Sequence, residues 1–166
     1  MRMPYILMAC VLFSCSGDQH EVTPTASTNQ GQLLFLRGDH VKAIEVLKRE
    51  VADPASSVVP HRFLGRAFLS TGQYEAALGA LSSSIETYPK DAELFDIIGA
   101  VHMTRAFAKA HYSDTDLALQ SFTRALQLDP RRASTLYNLG LLYSYRDSLQ
   151  QALTHYGLAI DADSTL

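Results

Sequence analysis

Glycines stand at Gly31, Gly65, Gly99 and Gly140, and alanines at Ala43, Ala77, Ala118 and Ala152. The glycine intervals are 34, 34 and 41 residues, and the alanine intervals are 34, 41 and 34. One seven-residue insertion between Gly99 and Ala118 accounts for both irregular intervals. Two ladders broken by one shared insertion mark an internal repeat, and a chain built this way must stack like units into one core. More residues follow the same grid. Leu47, Leu81, Phe122 and Tyr156 come four after the alanines, and Leu34, Phe68, His102 and Tyr143 three after the glycines. Ile44, Leu78, Leu119 and Leu153 directly follow the alanines, while Pro54, Pro89 and Pro130 close the first three units. Apolar residues recur at helical spacing, as in Ala77, Leu78, Leu81 and Ile85. Arg37-Gly38-Asp39, Thr71-Gly72-Gln73 and Arg146-Asp147-Ser148 break the pattern like tight turns. Each unit therefore reads as helix, turn, helix, over 24–57, 58–91, 92–132 and 133–166.

The glycine and alanine positions are expected where the two helices of a pair approach closely, and the large residues to fill the space between successive pairs. A bulkier side chain at a close approach costs ~1–3 kcal/mol. The insertion amounts to two helical turns, ~10 Å of extra first helix in the third unit. Ala106 to His111 favours helix, and Ser113-Asp-Thr-Asp116 reads as a capping box for the next one. The protrusion either offers Phe107 and Tyr112 to a partner or is a tolerated change of length.

The pattern resembles the tetratricopeptide repeat, whose period is about 34 residues. Tyr137-Asn-Leu-Gly-Leu-Leu-Tyr143 and Ala118-Leu-Gln-Ser-Phe-Thr-Arg-Ala-Leu-Gln-Leu-Asp-Pro130 carry the resemblance. It implies an all-α, right-handed superhelical solenoid of four helix-turn-helix pairs, covering 24–166. Family members bind peptides or helices in a concave groove lined by their first helices. By register, that groove takes Thr28, Asn29 and Gln32; Arg62, Phe63, Arg66 and Leu69; Asp96, Ile97, Ala100 and Met103; and Tyr137, Asn138, Leu141 and Tyr145. Asn29 and Asn138 occupy the slot of a peptide-gripping Asn, but Thr28 stands where a carboxylate clamp has Lys. Arg62 and Arg66 share one helical face and are expected to hold a carboxylate by charge-assisted hydrogen bonds, or else serve as solubilising residues. The family commonly closes with a polar helix. Here the last helix, about Leu149 to Asp161, is expected to expose apolar surface and to permit a homo-oligomer through the C-terminal end.

The first residues read differently. Arg2 precedes an apolar run from Tyr5 to Phe13. The run is too short for the ~30 Å hydrocarbon core and fits a secretory signal. It ends in Leu12-Phe-Ser-Cys15, which resembles a bacterial lipobox. The resemblance implies a signal peptide over 1–14, a lipidated Cys15, and a polar tether over 15–23. Leu7-Met-Ala-Cys10 fits the pattern with fewer apolar residues ahead of it, and a secreted form without lipid is the alternative. Ser16 after the cysteine points to the outer membrane, on its periplasmic face. A lipid-anchored protein is tethered rather than inserted.

Composition excludes several other classes. The chain of 166 residues carries 14 basic and 17 acidic residues, a net charge of −3, which gives no sign of nucleic-acid binding. Two cysteines cannot form a disulfide scaffold or a Cys-rich zinc site. The six histidines make no metal-ligand spacing; His102 is expected in the core. No phosphate loop or nucleophile elbow is present. The expectation is a protein that is not an enzyme and takes no cofactor or metal. It binds another envelope protein or peptide as an adaptor or assembly factor. The alternatives are an accessory subunit that positions an envelope enzyme, or a self-assembling structural lipoprotein.

Overall fold

The computed structural model describes residues 30–109 and 112–164. The expected signal peptide, Cys15, the tether, Thr28 and Asn29 lie outside them. The described residues form eight helices. These are α1 (Gln30–Leu36), α2 (His40–Val51), α3 (Val58–Ser70) and α4 (Tyr74–Thr87), followed by α5 (Ala92–Lys109), α6 (Ser113–Leu128), α7 (Ala133–Tyr145) and α8 (Leu149–Asp163). Consecutive helices pack as pairs, and each pair packs on the next. The first helices also touch one another, α1 with α3, α3 with α5 and α5 with α7. They form one layer and the second helices the other, which is a two-layer solenoid.

The glycine ladder explains the pairing, with one difference from expectation. The large residue four after each alanine does not fill the space between pairs. It enters its own pair, in the notch left by the glycine. A Cβ on Gly65 would lie 2.6 Å from Leu81 Cδ2, and one on Gly99 2.5 Å from the Phe122 ring. Gly31 meets Leu47 and Gly140 meets Tyr156 in the same way. Leu47, Leu81 and Phe122 are fully buried as a result, beside Ala43, Ala77 and Ala118.

Three of the turns inside pairs share one mechanism. Gly38, Gly72 and Asp147 have φ of 83°, 71° and 57°. In each, the following amide reaches back five residues: Asp39 N to Leu34 O, Gln73 N to Phe68 O and Ser148 N to Tyr143 O. This is the Schellman closure of a helix end. It reverses the chain, so that the second helix packs back on the first.

The insertion divides between two helices. α3 and α7 have 13 residues and α5 has 18, so five residues lengthen the first helix by ~7.5 Å rather than two full turns. The other two start α6 early, since α6 has 16 residues and α4 has 14. The expected capping box does not form. The cap position falls on Tyr112 with no side-chain cap bond. Asp116, the acidic member of the box, instead accepts a hydrogen bond from Arg146 in the turn after α7, at 2.9 Å, and Asp114 turns toward α5 and accepts two hydrogen bonds from Arg105, at 2.7 and 2.6 Å.

Two substitutions with the same chemistry should have opposite outcomes. Gly99→Ala should lower stability by ~1–3 kcal/mol, because the Phe122 ring has nowhere to go. Gly79→Ala in α4 should raise it by ~0.5–1 kcal/mol, because nothing lies within 4 Å of the added methyl. Urea unfolding followed by circular dichroism measures both.

Candidate functional site

The layer of first helices is where the sequence places a binding groove, and its N-terminal ends carry a lattice of charge. Arg62 on α3 makes a bidentate pair with Asp91, and its third nitrogen lies 3.0 Å from Glu93. Arg66, one turn on, meets Glu93 at 2.7 Å. Arg132, just before α7, reaches Glu93 at 3.4 Å and Asp96 at 3.5 Å. Three guanidiniums thus face three carboxylates across the second, third and fourth pairs. Burial works against the Arg62 charge, but the bond to Asp91 and the field of Glu93 outweigh it and raise its pKa.

Asp96 sits at the centre of the next junction, only 6% exposed. It accepts hydrogen bonds from Thr135 Oγ1 at 2.9 Å, Ser134 Oγ at 3.1 Å and Asn138 Nδ2 at 3.3 Å. The Asn138 amide that the repeat register offers to a peptide is therefore tied to the neighbouring pair. Phe63 packs edge-on to Phe35 at 5.3 Å and carries the Arg66 guanidinium over its ring at 5.7 Å. Tyr137 is 41% exposed and lies beside Tyr156, while Leu141 packs against the cluster of Met103, Phe122 and Leu142. The structure therefore brings Arg62 and Arg66 together, and separately Asp96 and Asn138. Asp91, Glu93 and Arg132, which no motif marks, join the two groups. The repeat register holds the clue, since all three residues lie at a junction between units, just before or at the N-terminal end of a first helix.

The C-terminal ends of the same helices are aromatic. Phe107, in the lengthened part of α5, lies 4.3 Å from Tyr145 of α7. Tyr112 stacks on Tyr145 at 6.0 Å and 30°. Behind them, Arg105 and Asp114 are joined by His102, whose Nδ1 is 3.5 Å from each. Asp114 is 2% exposed. His102 is thus packed in the interior as expected, and also paired there. Burial, then the Arg105 charge, hold it below its ordinary pKa against the pull of Asp114. The bond from Arg105 holds Asp114 below the usual carboxylate range. On α3, His61 bonds Ser84 Oγ at 2.8 Å, and burial lowers its pKa as well. Among the described residues no group of three or more His, Cys, Asp or Glu is placed to hold a metal ion. No helix among them is long and apolar enough to cross a membrane.

Comparison with known proteins agrees with this architecture. Residues 64–91 match the tetratricopeptide repeat. Over 126 residues the chain is 31% identical to the CTR9 homologue of Arabidopsis thaliana, an alignment covering 75% of this chain and 11% of that protein. The chain therefore spans a small part of that relative's length. A thermophilic tetratricopeptide-repeat protein of Thermus thermophilus superposes with a TM-score of 0.73 at 17% identity, over 81% of this chain and 71% of that one. YrrB, described as a tetratricopeptide-repeat protein with an unusual peptide-binding site, gives 0.62 at 22% identity, over 80% of this chain and 64% of that one. The fold is that of a tetratricopeptide-repeat solenoid.

The two histidines set a pH dependence. Their folded pKa values lie below 6.5, so the folded state takes up fewer protons than the unfolded one as pH falls. Their contribution is present in full above 6.5 and is lost progressively below it. The melting temperature should fall from about pH 7.5 to about pH 5, and a His61→Gln/His102→Gln variant should show a flatter slope. Asp114 adds a second loss at lower pH, as the medium falls through its depressed pKa.

Proposed function

We propose that this solenoid is a protein-interaction adaptor of the bacterial envelope, anchored by lipid on Cys15 and holding a partner segment along α3, α5 and α7. The observation that carries the reading is the continuous layer of these three helices. Asp96 and the Arg62–Glu93–Arg132 lattice bolt the pairs to one another, and Tyr137 and Leu141 lie on the same layer. Such a surface is set before a partner arrives, which lowers the cost of ordering it on binding. Within this reading the arginines set the shape of the groove, and Tyr137 and Leu141 supply contact. The envelope location rests on the signal-like run and the lipobox-like Cys15. A tether over 15–23 allows ~30 Å of reach when extended. The partner is an envelope protein, either a client in assembly or an enzyme that the adaptor positions.

A second reading has its own observation. Leu153 and Ile160 of α8 are 67% and 68% exposed, with Leu149 beside them at 67%. Ile44, the residue of α2 that corresponds to Leu153, is 7% exposed, in a helix covered by α3. The α8 face is therefore built to be covered by a helix, and a second copy of the chain is the occupant in this reading.

A photo-crosslinking residue at Tyr137 or Leu141, in the full chain made in a bacterial envelope, should trap a partner of fixed mass. The same probe at Gln120, exposed on α6, should not. Equal adducts from all three positions, or none, would contradict the groove. Cys15→Ser should move the protein from the membrane fraction to the soluble one and abolish palmitate labelling. Unchanged fractionation would contradict the anchor.

A further inference from the structure

The aromatic ends of α5 and α7 have a chemistry that the charged ends lack. Without the insertion, α5 would stop near Thr104, where α3 and α7 stop in their own pairs. Phe107 and Tyr112 belong to the added length and its turn. They meet Tyr145, the last residue of α7. Leu141 and Tyr137 continue from Tyr145 at intervals of one turn along α7. Tyr112 is 70% exposed, a large ring standing in water above a stacked neighbour.

The charges around this shelf are already matched. Arg105 is bonded to Asp114. Lys109 lies 3.7 Å from Glu75 and over the Tyr74 ring at 5.6 Å. At the other end of the layer, Arg62, Arg66 and Arg132 face Asp91, Glu93 and Asp96. An acidic segment would have to break one of these pairs to gain a cation. A basic segment would approach Lys109 and Arg105 directly. The rings lie on one another rather than around a hollow, so they do not form an aromatic cage for a quaternary ammonium.

We propose that Phe107, Tyr112, Leu141 and Tyr145 form a docking shelf for an uncharged, proline-bearing extended segment of a partner protein. The inference rests on the reading of this layer as the partner-binding face and names the partner's chemistry. Prolyl rings stack on exposed aromatic faces, and a polyproline II segment has lost most of its conformational freedom before it binds. Its carbonyls have no internal hydrogen bonds, and the hydroxyl of the exposed Tyr112 is suited to donate to them. Burial and the neighbouring Tyr112 push the Tyr145 phenol up, so it keeps its proton.

The test is calorimetric titration of the full chain with three peptides of equal length: decaproline, alternating Glu-Ala and alternating Lys-Ala. Decaproline should bind at least ten-fold tighter than either charged peptide. Tyr112→Ala, a change at an exposed position, should weaken it about ten-fold with the helical circular dichroism unchanged, and Gln120→Ala should leave it alone. Equal binding of all three peptides, no binding of decaproline, or indifference to Tyr112→Ala would overturn the shelf. If decaproline fails while crosslinks from Tyr137 and Leu141 still trap a partner, the shelf falls and the groove stands. If both fail, both readings fall.

Discussion

The missing side chain on each first helix is the condition on which this architecture depends. A large residue of the second helix sits where a Cβ would be, and the arrangement recurs in every pair: Leu47 at Gly31, Leu81 at Gly65, Phe122 at Gly99 and Tyr156 at Gly140. The contact sets the separation of the two helices and their relative height. Because it is repeated with the same spacing, every pair meets at the same kind of notch, and units joined alike stack into a solenoid. Glycine costs ~0.5–1 kcal/mol in a helix relative to alanine. Burial of a full Leu or Phe side chain contributes ~1.5–3 kcal/mol and outweighs that loss.

Polar contacts then decide how one pair sits on the next. The arginines of α3 and the start of α7 reach carboxylates at the start of α5, and Asp96 gathers the hydroxyls and amide of α7. These contacts lie at the N-terminal ends of the first helices. The insertion acts at the other ends, where the Arg105–Asp114 pair holds the lengthened α5 against α6. The groove layer is thereby divided along the helix axis into a charge-matched part and an aromatic part. In the proposed function, the first part fixes shape and the second part offers surface.

Much of this is legible in the residues. The two ladders and their shared insertion specify four pairs, and three turn sequences mark the left-handed positions. The notch partner is not legible, because periodicity says which residues share a face and not which neighbour that face meets. The capping box fails because α6 starts one residue early, with its cap at Tyr112, and Asp116 has a partner in Arg146, thirty residues on, which no local pattern reveals. Arg62, Arg66 and Asn138 read in the sequence as groups for a ligand. Their neighbours in space are Asp91 at the close of the second unit and Glu93 and Asp96 in the third, 27 or more residues away in the chain, so their engagement shows only once the pairs are stacked. The lipobox reading of Cys15 and the groove assignment of Asn29 fall outside the described residues and rest on their motifs.

A double-mutant cycle on Gly65→Ala and Leu81→Ala, by urea unfolding, tests the notch most directly. Alone, Leu81→Ala opens a cavity at ~2–5 kcal/mol and Gly65→Ala forces a clash at ~1–3 kcal/mol. If the two residues occupy one space, the added methyl fits the cavity. The double variant should then be more stable than the sum of the singles by ~1 kcal/mol or more. Additivity within ~0.5 kcal/mol would show that the glycine is not there to admit Leu81, and would contradict the account of the fold.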